Sequence, residues 1–241
     1  SRQECLLYNS YPVFLCLIES TYKSMPNRLD FEIAYRRNLP HIQPPGATLF
    51  ITTRLYGSLP TEALQRLYEE AQLRLAAIDA TDAPAERAEL RYREEKRYFA
   101  RFDQLLDRAD HGPNWLQNAT VAQIIVDALH NRDGQTYDLI AYCVMPNHLH
   151  LVLTPLPRDA NSYFSMSRIM HVLKGFTAYR ANDALGRKGT FWQAESYDHY
   201  VRDQDELQRV VYYVIFNPVK AGLVEDWSMW PWTYWKFAPA P

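Results

Sequence analysis

The 241-residue chain contains no apolar run approaching the roughly 18 residues that a membrane-spanning helix needs. Its richest N-terminal stretch, Tyr11 to Ile18, is short, includes Pro12 and lacks a basic flank, so it does not read as a secretory signal. Cysteine is scarce. Cys5, Cys16 and Cys143 are odd in number and widely spaced, which argues against a disulfide framework and for a reducing cytoplasm. A dominant charge is missing too. The net charge is −2, and residues 61–110 hold 12 Asp/Glu against 9 Lys/Arg, leaving the rest close to +1. A globally basic nucleic-acid binder is thereby excluded, and any such surface must be local. Core material is plentiful, at 47% hydrophobic and 14% aromatic. That suffices for one large domain, or one domain with an elaborated insertion.

Residues 1–34 show no clear period and read as an N-terminal extension of unknown role. From residue 35 to 241 the chain reads as a single domain with a helical elaboration over about 58–131. A proline-rich lead-in, Pro44-Pro45-Gly46, delivers a strand from Ala47 to Tyr56. Leu64, Leu67, Ala71 and Leu75 then recur at helical spacing. A second helix is expected from about Ala85 to Arg108, its charged face read as solvated surface. A third, Val121 to Asn131, is capped by Asn118 or Thr120. Strands are expected over Thr136–Met145 and from His148 to Thr154, joined by a Pro146-Asn147 turn, with Pro155 to Asp159 a loop. A helix from Ser165 to Leu185 follows, then a strand near His199–Arg202. The last main helix is capped by Asp203 and closed by Asn217-Pro218, because proline disfavours helical conformation in the residue before it. The tryptophan-rich tail wraps back onto the core. This order is β-α-β-β-α-β with an enlarged first helical crossover and an extra C-terminal helix. It predicts an α+β, ferredoxin-like sandwich with an antiparallel sheet.

Two motifs carry chemistry. In Met145-Pro146-Asn147-His148-Leu149-His150, alternation along a strand puts His148 and His150 on one face and Leu149 on the buried one. Two imidazoles on one face can hold a divalent metal. On the last helix, Tyr213 and Asn217 are four residues apart, about 40° around the axis, whereas Tyr212 and Asn217 are about 140° apart. Tyr213 is therefore the better companion for Asn217, and Tyr212 packs. A tyrosine phenol can attack phosphorus and form a phosphotyrosine. A divalent metal neutralises phosphate charge and stabilises the leaving oxygen. The Asn217 amide oxygen beside two imidazoles suits Mg²⁺ or Mn²⁺. Taken singly, His-x-His is more often a surface pair, Tyr213 a core aromatic and Asn217 a polar helix end. Their joint occurrence is harder to dismiss.

Together with Tyr213-Val-Ile-Phe-Asn217-Pro218-Val219-Lys220-Ala221-Gly222-Leu223-Val224, the histidine motif resembles the REP-associated tyrosine transposases, single-tyrosine members of the HUH endonucleases (histidine, hydrophobic, histidine). Pro44-Pro45-Gly46-Ala47-Thr48, Phe191-Trp192-Gln193, Tyr197-Asp198-His199 and Trp230-Pro231-Trp232 match in the family's order, so the resemblance runs from about Arg36 to Trp232. It implies a ferredoxin-like fold and nicking of single-stranded DNA near a repeat hairpin, through a 5′-phosphotyrosine and a free 3′-hydroxyl. It makes His148 and His150 metal ligands, Tyr213 the nucleophile and Asn217 the third ligand, with Mg²⁺ or Mn²⁺ as cofactor. It also implies a bacterial cytoplasmic protein acting at the nucleoid, on single-stranded DNA hairpins rather than membranes. One chain holds every motif, which favours a monomer and leaves a dimer open. Candidate DNA contacts are Arg36, Arg37 and His41 in the lead-in, Arg168, Lys174 and Arg180 on the helix after the histidines, Arg187 and Lys188 in the following turn, and Arg202. Asp198 and His199 are candidates for orienting a ligand or a proton carrier. Two rival readings remain: a domesticated hairpin-binding module without turnover, and a metal-dependent RNA nuclease that does not need the tyrosine.

Overall fold

In a computed structural model of the chain, the residues described are 35–36, 40–41 and 44–238. The N-terminal extension and Arg37 lie outside them. A two-stranded ribbon pairs β1 (Tyr35–Arg36) with β2 (Pro40–His41). The chain continues through β3 (Leu49–Arg54), α1 (Thr61–Asp79), α2 (Pro84–Asp107) and α3 (Ala119–Arg132). Next come β4 (Tyr137–Val144), β5 (His148–Pro155), β6 (Pro157–Asp159) and β7 (Ser162–Tyr163). The order closes with α4 (Met166–Ala184), β8 (Tyr197–Tyr200), α5 (Gln204–Lys220) and β9 (Thr233–Trp235). Strand order is β8-β3-β5-β4-β9, and every neighbouring pair is antiparallel. The expected α+β antiparallel sandwich is what forms.

The period-two alternation of the strands divides two cores. On one face Leu49 and Ile51 of β3 join Leu149, Leu151 and Leu153 of β5, covered by Val121, Ile125 and Leu129 of α3 and Ile169 and Leu173 of α4. On the other, Phe50, Cys143 and Val152 pack under Leu207, Val211, Val214 and Ile215 of α5. Each such side chain fully removed from water contributes roughly 1.5–3 kcal/mol before chain entropy is subtracted. A bulge between Leu139 and Ala141 shifts the register of β4, so Ile140 and Ala141 both turn to the α5 core. Asn118 caps α3, accepting from the Thr120 and Val121 amides, and Asp203 caps α5, accepting from the Glu206 amide.

Five local expectations need correction. Asn217-Pro218 does not end α5, which runs on to Lys220. Proline in a last turn forfeits only one hydrogen bond, and packing there holds the helix. The segment after Pro155 is not a plain loop but the β6–β7 ribbon. The last core strand sits at Tyr197–Tyr200, slightly earlier than expected. The tail does more than wrap, because β9 extends the sheet beside β4. Finally, α2 is not solvated over its charged face: Glu94 and Asp103 are buried.

Candidate active site

The α5 face of the sheet gathers the predicted residues. On β5, His148 and His150 are fully buried and point toward α5, while Leu149 is buried in the opposite core. Their Nε2 atoms face each other at 3.0 Å. Each ring is turned from its other nitrogen. His148 Nδ1 meets Asn147 Oδ1 at 2.7 Å, and His150 Nδ1 meets Thr52 Oγ1 of neighbouring β3 at 2.8 Å. With each Nδ1 engaged from behind, the two Nε2 atoms converge on one point, where a shared cation can be held. In octahedral coordination at about 2.1 Å, adjacent ligands lie about 3.0 Å apart, so this spacing fits a small divalent ion.

Tyr213 lies one layer above. Its ring meets His150 at 5.6 Å and Phe50 at 5.9 Å between centroids. Tyr212 stacks instead on Phe216, at 4.1 Å. Asn217 is wholly buried, and neither its Oδ1 nor its Nδ2 has a hydrogen-bond partner. An orphaned amide costs about 1–3 kcal/mol, which a cation on Oδ1 would offset. The two imidazoles and this amide therefore fit a divalent metal.

Three residues here were not foreseen. Asp103 of α2 is fully buried; it accepts a hydrogen bond from the Tyr213 hydroxyl, and its Oδ1 lies 3.3 Å from His150 Nε2. Asp103, His148 and His150 place ligand atoms within 4.8 Å of one another, so Asp103 is a further candidate ligand. Lys220 bridges Asp103 Oδ2 at 2.9 Å and Asp107 Oδ2 at 2.8 Å. Lys220 was findable: seven residues past Tyr213, it lies about 20° from it on the helix, once α5 is allowed to continue through Pro218. For Asp103 the signal was an acidic residue on the apolar stripe of α2, between Phe99 and Leu106. Nothing local showed that this stripe would face the histidines.

The charges reinforce one another. Burial pushes the Asp103 carboxyl up, but the nearby His150, His148 and Lys220 outweigh it and hold the group below the usual carboxylate range. Asp107 is raised by burial and by Asp103. The Tyr213 phenol is pushed well up by burial and by Asp103. Burial, then His150, lowers His148, which keeps its imidazole neutral and ready to ligate. For Lys220 burial acts downward, yet Asp103 and Asp107 raise it overall.

The candidate DNA contacts are dispersed. Arg168, Arg180 and Lys188 are exposed along α4 and the turn beyond it. Lys174 is engaged with the Gln193 and Ala194 carbonyls at 2.6 and 3.0 Å. Arg187 lies over the Trp115 ring at 3.6 Å. Arg202 lies over Tyr92 at 3.6 Å and pairs with Glu206. Arg36 and His41 belong to the β1–β2 ribbon. His199 does not reach the histidine pair, because its Nε2 meets Glu206 at 3.2 Å; Asp198 faces a cavity of about 600 Å³ beside α4.

Residues 117–216, which carry both histidines and Tyr213, match the model of the family described as Transposase IS200 like. More narrowly, the chain is similar to REP-associated tyrosine transposases, as its motifs indicated. It is 30% identical over 105 residues to a protein of Haemophilus influenzae described as a putative REP-associated tyrosine transposase, covering 40% of this chain and 58% of that one. It is 32% identical over 97 residues to the REP-associated tyrosine transposase of Escherichia coli, covering 40% of this chain and 53% of that one. The chain thus spans a little over half the length of these curated relatives. A solved structure of a REP-associated tyrosine transposase bound to a REP hairpin aligns with 84% of this chain and 82% of its own, at 19% identity and a TM-score of 0.45. No helix among the described residues is long and apolar enough to cross a membrane.

Proposed function

We propose that this chain is a metal-dependent strand transferase that nicks single-stranded DNA at repeat hairpins through Tyr213. The observation that carries the reading is the convergence of the Tyr213 hydroxyl with the paired Nε2 atoms of His148 and His150, beside the unpartnered Asn217 amide. Two imidazoles held from behind by Asn147 and Thr52 are built to ligate. The nearby phenol is the one nucleophile of this constellation. Its oxygen attacks phosphorus, the bond from phosphorus to the 3′-oxygen breaks, and a 5′-phosphotyrosine and a free 3′-hydroxyl result. The phenolic proton is lost and the leaving 3′-oxygen gains one, so the step is balanced. Mg²⁺ or Mn²⁺, held by His148, His150 and Asn217, would neutralise phosphate charge and stabilise the leaving oxygen. Re-attack of the phosphotyrosine by a 3′-hydroxyl reverses the chemistry and joins strands. Candidate hairpin contacts are the exposed Arg168, Arg180 and Lys188, with Arg36, Arg37 and His41. We take the active unit to be the monomer, since one chain supplies every group of the site.

The test is nicking of a labelled pool of single-stranded hairpin oligonucleotides with Mn²⁺. Wild type is expected to cut, Tyr213→Phe to be inactive, and His148→Ala to lose at least about a hundredfold. Hairpin binding that survives both substitutions, with no cutting by wild type, would instead support a binding module. Cutting of RNA that is indifferent to Tyr213→Phe would support a nuclease.

A further inference from the structure

The most unusual neighbour of Tyr213 is an acid. For in-line attack, phosphorus must come within about 3–3.5 Å of the phenol oxygen. That space is now taken by Asp103, whose Oδ2 accepts the phenolic hydrogen bond and the Lys220 ammonium while Oδ1 faces His150. A carboxylate held by a lysine ammonium and a tyrosine hydroxyl, with a histidine nitrogen beside it, sits where a phosphodiester oxygen would sit. Asp103 and a scissile phosphate cannot both occupy them.

The element that brings Asp103 in has the anatomy of a movable piece. Helices α1 and α2 pack on each other, linked by Arg74 to Glu94 and Arg101 to Glu70. Their two ends meet at a narrow neck. Gly57 and Gly112 both have positive φ, 74° and 72°. A Cβ on Gly112 would fall 2.0 Å from the Gly57 carbonyl oxygen, so the two backbones touch where only glycine permits it. Such a neck lets a helical pair swing as a unit by changing few torsions. Several contacts with the body are polar. Tyr92 donates to Glu206, Lys96 Nζ lies 3.6 Å from the same carboxylate, and Asn147 Nδ2 reaches the Leu106 carbonyl at 3.1 Å. Phe99 inserts an apolar ring among Phe50, Tyr197 and Tyr213, stacking on Tyr197 at 4.3 Å.

Resting on the strand-transfer reading above, we propose that Asp103 holds the seat of the scissile phosphodiester in a closed state, that the α1–α2 pair is the lid which carries it in and out, and that Lys220 is the residue which passes from Asp103 and Asp107 to the phosphate when the lid opens. The substrate class bound at this seat is a phosphodiester of single-stranded nucleic acid.

The test compares full-length wild type with Asp103→Asn and Tyr92→Phe, the latter loosening the latch remote from the histidines. Hydrogen exchange is followed by mass spectrometry without DNA or metal. Amides of 84–107 should exchange roughly tenfold faster in both variants, while those of 148–153 keep their wild-type rates, which shows that the fold is intact. In EDTA, Asp103→Asn should bind the hairpin oligonucleotide pool about tenfold more tightly than wild type, and adding Lys220→Gln should abolish that gain. Unchanged exchange over 84–107 in both variants, or weaker binding by Asp103→Asn, overturns the lid. Adduct formation on Tyr213 is measured in parallel. No adduct in any protein, with the exchange and binding shifts present, defeats the strand-transfer reading and leaves the lid standing. Equal adduct yields in all three, with exchange unchanged, defeat the lid and leave that reading standing.

Discussion

The orientation of the two histidines depends on groups that never touch the reacting atoms. Thr52 and Asn147 each fix one imidazole through its Nδ1, turning Nε2 toward the site. Thr52→Val keeps the shape of a buried side chain but removes the oxygen. It is expected to weaken Mn²⁺ binding about 10–100-fold, as read by paramagnetic resonance titration, with little change in melting temperature. Unaltered Mn²⁺ affinity would mean that His150 is positioned by packing alone. Tyr213→Phe is expected to leave stability within about 1 kcal/mol of wild type, since Asp103 keeps Lys220 as partner. Thermal unfolding of that variant therefore separates loss of the proposed nucleophile from loss of the fold. At this scale the sequence was informative about His148, His150, Tyr213 and Asn217, because strand and helix periods alone put each pair on one face. For Asp103 it offered only an acid on an apolar stripe, because which neighbours that stripe meets depends on where a distant helix packs.

Among the elements, α5 does the most to build the site. It presents Tyr213, Asn217 and Lys220 along one face, and its start is fixed by Asp203 and Glu206. Glu206 is buried, yet its carboxyl is held down to about 2, because hydrogen bonds from Tyr92 and Arg202 outweigh the upward push of burial. The folded value lies below the ordinary 4.5, so this contribution is fully present above pH 4.5 and is lost as pH falls toward about 2. Urea unfolding across that window should show stability declining in wild type and declining less in Glu206→Gln. Equal slopes would remove Glu206 from the acid transition. Helix α2 is the element that sequence misjudged most. Its charges outnumber its apolar residues, which reads as solvent-facing, whereas Glu94 and Asp103 are paired and buried against neighbours far away in sequence. Local pattern records the balance of polar and apolar residues, and a buried ion pair contributes to the wrong side of it.

Over the whole molecule, the antiparallel sheet separates a largely apolar core from one carrying the candidate site. The α3–α4 face is packed with aliphatic and aromatic side chains and holds β5 in register. Leu149→Ala, at a position 1% exposed, is expected to cost about 2–5 kcal/mol and to lower Mn²⁺ binding only through the folded fraction. The antiparallel α+β sandwich could be anticipated because β-α-β-β-α-β admits few packings. The terminal strand β9 could not, since a three-residue segment between tryptophans carries no clear alternation. The same sheet frames the central claim that Tyr213 is a nucleophile toward DNA. The most direct measurement is peptide mapping of the protein after incubation with a single-stranded hairpin oligonucleotide pool and Mn²⁺. A nucleotide-bearing tryptic peptide modified at Tyr213, and absent from Tyr213→Phe, is the predicted result. Cleaved DNA with Tyr213 unmodified, or an adduct on another residue, would contradict it.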